Sequence, residues 1–247
     1  MTTDLLLFVV VGFVAQMIDG AIGMAYGITS TTVLLSFGVP PVTASAVVHA
    51  AETFTTGASG LAHWRLGNID RKLVFRLAVP GMIGGALGAY VLMALPGDSL
   101  RPWISAYLLV LGLVILWKAY RRTPTREVPV TRVAPLGFCG GFLDAIGGGG
   151  WGPIVTSTLL GNGMTPRFAI GSVSLAEFFV TVTISATFIL SIGLQLWPII
   201  AALVLGGVIA APFAALAARY LPDRVLMVIV GVVVVLLSLR GLYMTLR

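Results

Sequence analysis

The sequence predicts an all-α polytopic membrane protein of two homologous repeats, each of about four helical units, with the first unit of each repeat broken or re-entrant at a Gly-rich stretch. Three observations carry that expectation. Of 247 residues, 58% are hydrophobic and 10% are charged, against roughly 25% charged in soluble domains. The apolar residues gather in runs suited to a bilayer core, which takes about 20 residues per helical crossing. The second half also repeats the first at a constant offset of 125 residues. A soluble globule is excluded, and the length accommodates roughly seven or eight membrane segments.

Apolar runs cover residues 5–18, 22–37, 42–61, 73–95 and 104–120, and then 133–143, 151–160, 168–190, 196–218 and 225–239. All read as helices, because they are apolar on every face, whereas the strands of a membrane barrel alternate. The first run lacks the basic leader region of a signal peptide, so no cleavage is expected. A Pro-Gly-Asp stretch after Leu95 marks a turn. Lys118, Arg121, Arg122, Arg126 and Arg132, with two prolines among them, mark a linker. The division expected is a membrane repeat over 1–120, a basic cytoplasmic linker over 121–132 and a second membrane repeat over 133–247.

The net charge of +6 comes from 15 Lys and Arg against 9 Asp and Glu. The cations fall between apolar runs, where loops face an anionic leaflet, so the expected partner is the lipid bilayer and not nucleic acid. If each broken segment crosses the membrane once, 11 cations lie on one side and 4 on the other; if it re-enters, the division is 12 to 3. Both obey the positive-inside rule with the linker inside. Re-entry makes the repeats inverted and accounts for four cations between Arg65 and Arg76 against none between Leu190 and Trp197, so inversion is preferred.

Without a gap, residues 12–54 align on 137–179 with 15 identities in 43 positions, among them Asp19/Asp144, Gly23/Gly148, Gly27/Gly152, Thr31/Thr156, Pro41/Pro166 and Glu52/Glu177. Acids, glycines and a proline do not recur through shared apolarity. The chain is a duplication, and duplications of this kind mark secondary transporters that hold substrate near the midplane between repeats.

Each repeat opens on a segment interrupted at matching places, 19–23 and 144–150, where an acid and glycines are costly inside an apolar helix. In the second repeat Gly147, Gly148, Gly149 and Gly150 precede Trp151, Gly152 and Pro153, and proline suits the first turn of a new helix. Amides at such a start carry partial positive charge and can cradle an anion. Close helix packing by small residues is the plainer reading of the glycines. In the first repeat Gly23-Met-Ala-Tyr-Gly27 replaces the glycine run. A phosphate-binding P-loop lacks both its strand and its Lys-Ser/Thr ending.

Of nine carboxylates, Asp19, Glu52, Asp144 and Glu177 lie inside apolar sequence as two repeat-related pairs. Ionisable groups at membrane depth are functional candidates by default. Each Asp could instead cap the helix that restarts after the break. His49 lies three residues before Glu52, on the same helical face; the two could share a proton or make an interhelical hydrogen bond. Two histidines in the whole chain are too few for a metal site, so neither metal nor cofactor is expected. Thr31 and Thr156 are candidate hydroxyl donors, although such groups often bond back to their own helix. Trp64, Trp103, Trp117 and Trp197 end segments and mark the interface; Trp151, inside the break, either closes over a ligand or fills space.

These residues carry a resemblance to the TauE/SafE sulfite exporters, also called the toluene-sulfonate and sulfite permease family. It covers essentially the full length and rests on the duplicated Gly-rich breaks, above all Asp144 to Pro153, and on Ala169-Ile-Gly-Ser-Val-Ser-Leu-Ala-Glu177. The resemblance implies a multi-pass carrier of the bacterial inner membrane that moves sulfite, sulfonates or related organosulfur anions by proton-coupled alternating access. The first repeat departs from the pattern by lacking consecutive glycines. The expected partners are a small anionic substrate and protons, with Na+ as the other coupling ion. The alternative is an H+- or Na+-coupled carrier of another organic anion, a cation or a neutral solute. An enzyme is not expected, since there is no His-Glu-x-x-His, no Gly-x-Ser-x-Gly and no soluble catalytic domain.

Overall fold

A computed structural model describes residues 2–23, 26–120, 133–162, 164, 166–193, 196–220 and 223–245. All regular structure among them is helical: α1 (Thr2–Ile22), α2 (Tyr26–Ser36), α3 (Pro41–Arg65), α4 (Arg71–Ala94), α5 (Gly97–Tyr120), α6 (Val133–Gly147), α7 (Ser157–Gly161), α8 (Pro166–Ile192), α9 (Trp197–Tyr220) and α10 (Asp223–Thr245), with a π-helical turn, Gly152–Thr156, leading into α7. Helices Arg71–Ala94, Ser99–Tyr120 and Phe168–Ile192 are long and apolar enough to cross a bilayer, and shorter apolar helices accompany them. Phe75, Ile83, Leu87, Val110 and Leu113 stand exposed along α4 and α5, as lipid-facing side chains do. The expected cytoplasmic linker at 121–132 lies outside the described residues.

Local chemistry sets the helix ends. Asp70 caps α4, its Oδ1 accepting from the amides of Lys72 at 2.9 Å and Leu73 at 3.2 Å, and Pro41 opens α3 at its first turn. The opening segments stop where the interruptions were expected. α1 ends with Gly23 at φ +70° and α6 with Gly148 at φ +63°, the left-handed conformation in which glycine closes a helix. The Gly23 amide donates to the Asp19 carbonyl at 2.5 Å, and the Gly148 amide to that of Asp144 at 2.7 Å.

The packing interlaces the two halves of the chain. α1 lies against α9, α6 against α4, α3 against α8 and α5 against α10. Glycine makes the first two contacts close. Along α4, a Cβ at Gly84 or Gly88 would run into the backbone carbonyl of Phe138 or Phe142 on α6, and one at Gly137 would meet that of Leu77. Across α1 and α9, Gly12 faces the Leu203 carbonyl and Gly206 that of Val9. Small residues that let backbones meet are the usual means of helix association in lipid. Gly84→Leu is therefore expected to cost at least the roughly 1–3 kcal/mol of ordinary overpacking, because backbone cannot step aside. Thermal unfolding in detergent checks this; an unchanged midpoint would contradict the seam.

Candidate substrate site at the helix breaks

The two breaks meet inside the bundle. A Cβ at Gly27 would stand 3.0 Å from the Gly149 Cα, and one at Gly149 would overlap the Gly27 carbonyl carbon and the Ile28 amide. Hydrogen bonds cross between the breaks in both directions. Thr31 Oγ1 donates to the Gly148 carbonyl, and Thr156 Oγ1 donates to the Gly23 carbonyl at 3.0 Å. Thr31 corresponds to Thr156, and Gly23 to Gly148, at the offset of 125 residues, so each threonine ties down the other's break. An interhelical hydrogen bond in a membrane is worth on average about 0.6 kcal/mol and up to about 1.7. Thr31→Val and Thr156→Val should thus each cost about 1 kcal/mol in thermal unfolding, and a loss confined to one of them would show that one bond alone matters.

Both aspartates cap the segment that follows their own break. Asp144 Oδ1 accepts from the Gly150 amide at 2.6 Å and the Trp151 amide at 3.0 Å. Asp19 Oδ1 accepts from the Tyr26 amide at 3.3 Å, and Tyr26 is the repeat counterpart of Trp151. The capping reading of the aspartates is thus what the geometry contains. The Gly150 and Trp151 amides do hold an anion, and in this conformation that anion is the chain's own carboxylate.

The four acids embedded in apolar sequence converge here. Asp19, Glu52, Asp144 and Glu177, together with Gly27, Gly149 and Gly150, line a cavity of about 10 Å3, enough for about one water. Glu52, Asp144 and Glu177 are buried there, whereas Asp19 is partly exposed. Glu52 stands beside Gly27, its Oε1 2.8 Å from where a Cβ there would sit, while its buried Oε2 has no hydrogen-bond partner among the described residues. The sequence reading set His49 beside Glu52, but the direct partner is on another helix: His49 Nε2 lies 3.2 Å from Asp144 Oδ2. Glu52, His49 and Asp144 each offer a ligand atom within 4.8 Å of the other two. Larger cavities lie elsewhere: those against Phe54 and Trp197 and against Phe75 and Phe179 are lined mainly by apolar side chains, and a third lies beside Asp70, Arg71 and Lys72. The acids and not the largest hollow mark the site.

Over residues 8–241 the sequence matches the family of sulfite exporters TauE/SafE. The chain belongs to the TauE/SafE family. It is 44% identical to the probable membrane transporter protein YtnM of Bacillus subtilis (strain 168), over 96% of this chain and 82% of that protein. The probable membrane transporter protein ORF9 of a Sinorhizobium species is 26% identical over 74% of this chain and 66% of its own length. A second Bacillus subtilis (strain 168) protein, the probable membrane transporter protein YdhB, is 28% identical over 63% of each. No solved structure matches the chain. The family and its relatives are membrane transporters and not enzymes.

For several residues of this TauE/SafE protein the structure decides between readings or adds to what sequence alone suggests. Trp151 is fully buried, but its ring packs against Gly81 and Gly140 and does not line the cavity, so in this conformation it fills space. Gly147 and Gly150 are pressed against Tyr107, whose buried hydroxyl has no partner among the described residues; an aromatic on an apolar run gave no sign of that position. Ser45 also went unmarked. Its Oγ donates to the Ala145 carbonyl at 2.6 Å, next to Asp144. The signal available was its place one helical turn before His49. Trp64, Trp103, Trp117 and Trp197 are exposed near helix ends.

Proposed function

We propose that this membrane transporter carries small sulfur-containing oxyanions, sulfite, sulfonates or their relatives, by proton-coupled alternating access in the bacterial inner membrane. The observation that supports it most is the convergence of both breaks and all four embedded acids on one small cavity. Amides that bind a carboxylate in this conformation can bind a substrate oxyanion once the breaks part. The cavity is too small for an oxyanion as it stands, so the breaks must part for one to enter.

Four ionised carboxylates would repel an incoming anion. The acids are therefore neutralised by protons when the anion is present, and transport depends on pH. Glu52→Gln and Glu177→Gln should each flatten that dependence in proteoliposome uptake. Unchanged pH profiles in both would remove these glutamates from coupling.

The reading includes two repeats, 1–120 and 133–247, joined by a basic cytoplasmic linker and inverted relative to each other. The reciprocal contacts favour the duplication: as Gly81 packs on Trp151, so Gly207 packs on Tyr26 and Thr55. The loop cations favour the inversion. Thermal-shift measurement against sulfite, sulfate, thiosulfate, sulfonates and carboxylates at two pH values tests the substrate class. Stabilisation by a sulfur oxyanion, stronger at the lower pH, is expected, by RT ln(1 + [L]/Kd). Stabilisation by Na+ alone would instead favour the cation or neutral-solute carrier.

A further inference from the structure

His49 is held in one tautomer by its own helix. Its Nδ1 lies 2.7 Å from the Ser45 carbonyl oxygen, which only accepts. The other neighbour of Nδ1 is Ser45 Oγ at 3.2 Å, whose proton is committed to the Ala145 carbonyl at 2.6 Å. Both neighbours therefore require a donor, and Nδ1 carries a hydrogen. The remaining nitrogen, Nε2, faces Asp144 Oδ2 at 3.2 Å, with His49 at 0% and Asp144 at 2% exposure. With Nδ1–H fixed, a lone pair and a carboxylate oxygen can meet there only if one proton lies between them, as imidazolium with carboxylate or as imidazole with carboxylic acid. The other oxygen, Oδ1, is occupied by the Gly150 and Trp151 amides.

The repeat does not duplicate this arrangement. The counterpart of His49 at the offset of 125 is Ser174, also buried, and serine does not titrate in this range. Asp19 thus faces no second imidazole at the equivalent position.

Resting on the anion-carrier reading above, in which Glu52 and Glu177 govern the pH dependence of uptake, we propose that the proton linked to anion binding is held between His49 Nε2 and Asp144 Oδ2, one per chain, and that the duplicated half of the molecule does not supply a second imidazole-held site. The balance is simple. The protonated pair has no net charge, and loss of its one proton leaves one negative charge on the cavity wall. The other ionisable groups facing the pair are Asp19 from α1, Tyr26 from α2, Glu52 from α3, Glu177 from α8 and Tyr107 from α5. The buried face of α4 offers none, and α9 has none before Arg219. Every neighbour is acidic or neutral, so nothing else compensates an arriving anion. A bound anion holds the proton on the pair, and by reciprocity the proton strengthens anion binding. Above the pair's midpoint, anion affinity should fall about tenfold per pH unit, the slope of one linked proton.

The experiment uses the full chain in lipid nanodiscs with His63→Gln, which leaves His49 as the sole histidine, and reads its ring nitrogens by 15N NMR across pH with sulfite and thiosulfate as probes. The expected result is Nδ1 protonated at every pH and Nε2 titrating once, with a midpoint that rises when the probe is added. Asp144→Asn should keep the cap through its amide oxygen and fill Nε2 with a permanent N–H; its probe affinity should then not change with pH. His49→Gln should flatten the slope as well, so the test survives poor folding of either variant. An unprotonated Nδ1 in the folded protein, or a tenfold slope retained in both variants, would overturn the proposal. A transition metal in the purified protein, with chelator-sensitive Nε2 resonances, would overturn it in favour of a cation at His49, Glu52 and Asp144. If the ring titrates as expected while neither probe binds, the proton site stands and the sulfur-anion reading falls.

Discussion

Gly149→Val is expected to abolish transport and to cost more than the roughly 3 kcal/mol at the upper end of ordinary overpacking. The atoms a Cβ would meet at Gly149 are the Gly27 carbonyl carbon and the amide and Cα of Ile28, all backbone of the opposite break. No rotamer change relieves that overlap. The breaks would have to separate, which would strain the Thr31 and Thr156 bonds that tie them. Gly193 is the control: it has φ +76° and nothing within 4 Å of an added Cβ. Gly193→Ala should lose only the roughly 1–2 kcal/mol of a left-handed non-glycine residue. Thermal unfolding and proteoliposome uptake measured together check both variants. A Gly149→Val protein as stable and active as the Gly193→Ala protein would show that the breaks need not touch.

Asp144→Ala should be the most damaging of the single acid substitutions. It removes the acceptor for two buried amides and the partner of a buried imidazole at once. Each orphaned buried donor costs about 1–3 kcal/mol, and a buried pair left without one partner costs about 3–5 kcal/mol, so a loss of at least about 5 kcal/mol is expected in equilibrium unfolding. Asp144→Asn retains a carbonyl oxygen for the amides and should recover most of that loss. Equal instability of the two variants would mean that the charge and not the cap holds the break. Glu52→Gln offers a contrast, because the Oε2 it replaces has no partner among the described residues; it should change coupling far more than stability.

The breaks were legible because their cause is local. Asp19 with Gly23, and Asp144 with four consecutive glycines, cannot continue a lipid-embedded helix at low cost, and the backbone turns left-handed at Gly23 and Gly148. The convergence of the four acids could be anticipated from their recurrence at one offset. The partner of His49 could not. Helical periodicity offers Glu52, three residues away, whereas Asp144 is 95 residues away and reaches His49 only because α6 and α3 come from different halves of an interlaced bundle. That Asp144 takes the amides expected to cradle a substrate was one of two readings open from the sequence, and spacing could not choose between them, since that depends on which way the chain leaves Gly148. The close backbone seam between α4 and α6 explains many glycines outside the breaks by packing alone, and only contacts across helices distinguish those from Gly149.

The most direct test of the paired-break site is an experimental structure of the protein with its best-stabilising sulfur oxyanion, carried as a heavy-atom analogue whose position can be read unambiguously. The anion is expected between Gly27 and Gly149, on the amides near Gly150, with the Thr31–Gly148 and Thr156–Gly23 bonds released. An anion bound elsewhere while both of those bonds persist would contradict it.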